Sequence, residues 1–76
     1  MKVRIEVEDK EGAKSSVDCM EKDMDNSEIE ILLKSNEILY NAKHGVANHF
    51  KTGKIANVQY NTLREPWELI VTVKEQ

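Results

Sequence analysis

The amino-acid sequence predicts an α+β two-layer domain of order ββαββ, in which an antiparallel four-stranded sheet packs against one long helix. Two observations carry this expectation. Near both ends of the chain apolar residues alternate with polar ones at a period of two, and between them lies a stretch whose apolar residues fall on one arc at helical spacing. Turn-forming residues separate these segments.

The first strand rests on Val3, Ile5 and Val7, which alternate with Lys2, Arg4, Glu6 and Glu8 and so divide an apolar from a charged face. Asp9-Lys10-Glu11-Gly12 reads as a turn, with Gly12 supplying the positive φ that hairpin loops demand. Ala13, Ser15, Val17 and Cys19 alternate weakly, as in a less apolar edge strand. Asp23 to Ser27 then reads as a loop ending in N-cap residues, and Glu28 and Glu30 favour the positive end of a helix starting near Ser27. At 100° per residue Ile29, Leu32, Leu33, Leu39, Tyr40, Val46, Ala47 and Phe50 share an arc of about 140°. This extends the helix to about Lys51, with Gly45 as the point where it can break and Gly53 as its left-handed stop. Ala56, Val58 and Tyr60 give a third strand, and Asn61 to Pro66 a loop. In the last strand Trp67, Leu69, Val71 and Val73 face one way, and Glu68, Ile70, Thr72 and Lys74 the other.

At 76 residues the chain is expected to be a single domain, near the size at which only about 60% of the unfolded surface is buried. Its one cysteine, Cys19, excludes a disulfide framework and fits a reducing compartment, so a cytoplasmic protein is expected. No apolar run approaches the roughly 20 residues of a membrane span, and the alternating N-terminus is unlike a signal peptide. Ile31, Ile38 and Ala42 lie opposite the main helical stripe, and Ile70 points away from the core face of its strand. These four are the expected interface of a homodimer.

Catalytic and metal-binding signals are weak. Asp23-Met24-Asp25-Asn26-Ser27 begins like a calcium loop, but Glu28 stands where the turn needs glycine and Lys34 where the bidentate glutamate belongs. His44 and His49 diverge by about 140° on a helix and do not form a chelating pair. Lys51-Thr52-Gly53-Lys54 lacks the first glycine of a phosphate loop, since Asn48 occupies that place. No cofactor, metal or catalytic residue is expected, and the chain reads as a non-enzyme.

The functional signal is charge. From Glu6 to Glu30 ten carboxylates stand against three lysines, a local balance of −7, while from Ile31 to Arg64 five basic residues stand against Glu37 alone. Glu6 and Glu8 share a strand face about 6.5 to 7 Å apart, Asp18 joins that layer from the second strand, and Glu21, Asp23 and Asp25 repeat the two-residue spacing in the following loop. Such rows attract a basic surface as a phosphate backbone does. In being small, acidic, cysteine-poor and clustered in its carboxylates, the chain resembles the DNA-mimic inhibitors of bacteriophages. That resemblance implies a dimer that binds a basic host protein, such as a histone-like nucleoid protein. The expected partner-binding residues are Glu6, Glu8, Asp18, Glu21, Asp23 and Asp25. The alternative is a nucleic-acid-binding module using the basic stretch from Lys43 to Arg64, with Phe50 and Tyr60 interleaved.

Overall fold

The computed structural model describes residues 1–41 and 50–76, and at positions 15–18 and 41 the backbone alone. Its elements are β1 (Lys2–Glu8), β2 (Lys14–Asp23), α1 (Asn26–Lys34), β3 (Ile38–Asn41), β4 (Phe50–Asn61) and β5 (Glu68–Glu75). The strands form one sheet in the order β2-β1-β5-β4-β3. All neighbours are antiparallel except β1 and β5, which run parallel at the centre, from Lys2 opposite Glu68 to Glu8 opposite Lys74.

Alternation explains why the centre is stable. Val3, Ile5 and Val7 lie opposite Leu69, Val71 and Val73, and all six are buried on the same face. Leu32 brings α1 onto this face, Tyr40 closes it from β3, and Met20, Met24, Ile29, Ile38 and Ile55 pack around it. The β1–β2 turn is held by Asp9, whose carboxylate accepts the Glu11 and Ala13 amides at 3.0 and 2.8 Å. Gly12 there has φ 91°, as the sequence predicts.

The four-stranded antiparallel sheet on one long helix is not what forms. The sheet has five strands and is mixed, and the helix has nine residues instead of running to Lys51. Ser35 ends it: its backbone turns extended, its amide bonds Leu32 O at 3.2 Å and its hydroxyl donates to Ile31 O at 2.7 Å. A hydroxyl side chain that satisfies the last turn's carbonyls competes with further helix. Ile38-Leu39-Tyr40, β-branched and aromatic in part, then alternates as a strand, with Tyr40 buried and Leu39 exposed. Gly53 is no helix stop but a strand residue opposite Ile38 and Glu75. Ala56 is not an inward strand position either. The β4–β5 register slips between Ile55 and Asn57, so Ile55 and Val58 both meet core valines. Val46, Ala47 and Gly45, counted in the expected helix, lie outside the described residues.

The helix starts at Asn26 with Asp25 as its N-cap. Asp25 accepts the Glu28 amide at 2.9 Å and Glu28 reaches back to the Asp25 amide at 3.4 Å, a reciprocal cap worth about 1 kcal/mol. Lys22 Nζ holds Glu28 at 2.7 Å, linking β2 to α1. That hydrogen bond, followed by the one from the Asp25 amide, keeps the Glu28 carboxyl below its usual range, and Glu28 in turn raises Lys22. A carboxylate depressed by folding stabilises the native state above its ordinary pKa and loses that contribution as pH falls through the lowered value. Glu28→Gln is therefore expected to lower the thermal midpoint near neutral pH. The difference from the unaltered chain should close as melts are run at successively more acid pH, and a gap that persists in acid would contradict the assignment.

Candidate partner-binding face

The face of the sheet opposite α1 is built from the other half of each alternating strand. From β2 to β4 its cross-strand rows are Asp23, Lys2, Glu68 and Asn61; then Glu21, Arg4, Ile70 and Gln59; then, over three strands, Glu6, Thr72 and Asn57; and last Lys14, Glu8, Lys74 and Lys54. Polar side chains occupy all of these positions except Ile70, because every apolar partner points to the core.

Four of the six carboxylates expected to bind a partner, Glu6, Glu8, Glu21 and Asp23, thus stand on one surface. Glu21 and Asp23 reach it by a different route from the one predicted. They are not loop residues, since β2 continues through Asp23, and the strand's period of two turns them to the same side as Glu6 and Glu8. Asp25 is elsewhere, engaged as the helix cap. Asp18 lies in β2, where the register with β1 is irregular, and its side chain is outside the described set.

Cations are interleaved with these carboxylates. Glu21 lies 3.3 Å from Arg4 Nε and 3.7 Å from Lys2 Nζ, Glu6 lies 3.1 Å from Lys14 Nζ, and Asp23 receives the amino group of Met1 at 2.9 Å. The centre of the network is Glu68, which the sequence reading left out. Its side chain is only 10% exposed, Asn61 Nδ2 donates to its Oε1 at 3.2 Å, and Arg4 and Lys2 lie 3.6 and 3.8 Å from its Oε2. Alternation in the last strand puts Glu68 on the polar face, but only the parallel pairing of β1 with β5 brings it beside Lys2 and Arg4. Glu8 forms no ion pair among the described residues, although Lys14 and Lys74 flank it in register.

The expected dimer residues do not make one stripe. Ile31 is on α1 and Ile38 on β3, and both line an apolar groove of about 450 Å³ with Met24, Leu32 and Leu39. Ile70 is on the opposite side of the sheet, and Ala42 lies outside the described residues. The basic stretch is also divided. Lys51 bonds Glu75 at 3.0 Å on the core side, Lys54 faces the other way beside Lys74, and Arg64 borders a polar cleft with Lys2 and Arg4. Lys43, His44 and His49 are outside the described residues. Cys19 is a half-buried free thiol, and no cluster of three metal-ligating side chains occurs among the described residues. No helix among them is long and apolar enough to cross a membrane. No protein-family model, curated protein or solved structure matches the chain.

Proposed function

We propose that this protein is a non-enzymatic interaction module whose β1–β2 surface receives a basic protein, with nucleic-acid-binding proteins such as histone-like nucleoid proteins as the partner class. The observation that supports this reading is the placement of Glu6, Glu8, Glu21 and Asp23 on one sheet face away from α1. Their present ion pairs are no obstacle. Exposed pairs of this kind contribute about 0 to 1 kcal/mol each, so an incoming lysine or arginine replaces Lys14 or Lys2 at small cost. Long-range attraction to the acidic half of the chain speeds the encounter. A single cysteine without a disulfide partner is in keeping with action in the cytoplasm.

The test uses a purified histone-like nucleoid protein as probe, with affinity measured from low to high salt. Neutralising Glu6 and Glu8 together, as Gln, should weaken binding about tenfold, near 1.4 kcal/mol, and added salt should weaken it further. Asp25→Asn, a change at the helix cap, should leave affinity unchanged. Binding indifferent to salt and to the paired Glu6 and Glu8 substitutions would refute an acidic docking face.

One observation favours a second reading. Tyr60 and Trp67, both half-exposed, meet edge to face with ring centroids 6.1 Å apart, a surface on which bases could stack. Lys54 and Lys74, however, point to the other side of the sheet, so stacking and phosphate contacts do not share a surface there. Failure of the chain to retard single-stranded DNA or RNA at low salt would remove this alternative.

A further inference from the structure

The two edges of the sheet are unlike each other, and the difference bears on self-association. An edge strand offers a row of free N–H and C=O groups, and proteins that stay monomeric block it with charges, prolines, bulges or covering segments. β2 is blocked: five of its ten residues are charged, and its register with β1 breaks between Ile5 and Val7. Among the described residues β3 has none of these devices. Its four residues, Ile-Leu-Tyr-Asn, carry no charge and no proline, and they pair with β4 without a slip from Ile38–Gly53 to Asn41–Phe50.

Large apolar side chains flank this edge on both sides. Leu39, 66% exposed, and Phe50, 62% exposed, are diagonal neighbours on the polar face of the sheet, where little else is apolar. On the other side Ile31, 70% exposed, borders the groove between α1 and β3. The groove also contains Glu28 and Glu37, of which Glu28 is already neutralised by Lys22.

We propose that β3 is a dimerisation edge, through which two copies of the chain join antiparallel about a two-fold axis into a continuous ten-stranded sheet. Leu39 of each copy packs against Leu39 of the other, with Phe50 one strand behind it on the same face. A second copy is the occupant that the charge pattern fits. Two-fold pairing sets a patch against itself, so every charge near the axis meets its like, and β3 is the edge with no charge to oppose. A basic partner would find only Glu37 there without an ion pair among the described residues, whereas the row of carboxylates that would attract it lies at the other end of the sheet, on β1 and β2. The inference is independent of the acidic docking face, which a monomer could also present.

Sedimentation of the full chain from about 1 μM to 1 mM tests it. A reversible dimer is expected, and Leu39→Lys and Phe50→Lys should each raise its dissociation constant at least tenfold. Leu63→Lys, at a 91% exposed site beyond the opposite end of β4, should leave it unchanged. Circular dichroism of each variant establishes that it is folded, and Phe50→Lys decides the matter if Leu39→Lys is not. A chain that is monomeric over the whole range overturns the proposal. So does a dimer insensitive to the folded variants, or one that Leu63→Lys weakens equally.

Discussion

Gly53→Ala is expected to destabilise the protein by about 2 to 3 kcal/mol, although the same change in an ordinary strand interior gains about 0.5 to 1. A Cβ at Gly53 would overlap Val73 Cγ1 and stand 2.8 Å from the carbonyl oxygen of Lys74 and 3.3 Å from its carbon. Val73 is fully buried and has no room to turn away, and the Lys74 carbonyl belongs to the backbone of β5. Accommodation therefore requires β4 to move off β5 where β3 also joins it. Urea denaturation of the two chains measures the difference. Gly12→Ala is the comparison, because its open surroundings leave only the cost of positive φ, about 1 to 2 kcal/mol. A neutral or stabilising Gly53→Ala would mean that β4 and β5 are not so closely apposed.

Val71→Asp should abolish cooperative folding at neutral pH. Val71 has no exposed surface and lies between Ile5 and Val58 in the register, and the cations on its face, Lys22 and Lys51, are already held by Glu28 and Glu75. An unpaired buried charge costs several kcal/mol, comparable with the whole stability of about 5 to 15 expected of a domain. Ile70→Asp, one position away, should change stability by no more than about 0.5 kcal/mol, since that site is on the polar face directly across from Arg4. Thermal melts of the pair read out the sidedness of β5. Equal damage from both would show that the strand does not present a core face and a polar face as described.

The parts of this fold legible in the sequence are those whose signal is local. Val3, Ile5 and Val7, and Leu69, Val71 and Val73, alternate strictly because one face of each strand is buried, and the outward direction of Ile70 follows from the same count. Gly12 could be read as a turn because its left-handed conformation is almost confined to glycine. The helix beyond Lys34 was misread because a short run such as Ile38-Leu39-Tyr40 fits a helical arc and a strand equally well. The information that separates them was Ser35-Asn36, residues whose side chains favour leaving a helix. Parallel pairing of β1 and β5 leaves no trace in either strand, and so neither Glu68 nor its position between Lys2 and Arg4 was foreseeable. The acidic residues were recognisable as a group from their spacing. Their interleaved cations depend on which strands are neighbours.

The parallel pairing also orders events during synthesis. The strand that completes the centre of the sheet beside β1 is made some sixty residues after it. Until then only the β1–β2 and β3–β4 pairs and the nine residues of α1 can form from local contacts, and structures of that size are marginal in water. The nascent chain must therefore carry Val3, Ile5 and Val7 without their β5 neighbours while those intervening residues are made. Closing so long a loop makes folding slower than in a chain of local hairpins. In that interval the charges alternating with those three residues, Lys2, Arg4, Glu6 and Glu8, are what keeps an exposed apolar strand from pairing with its neighbours on the polysome.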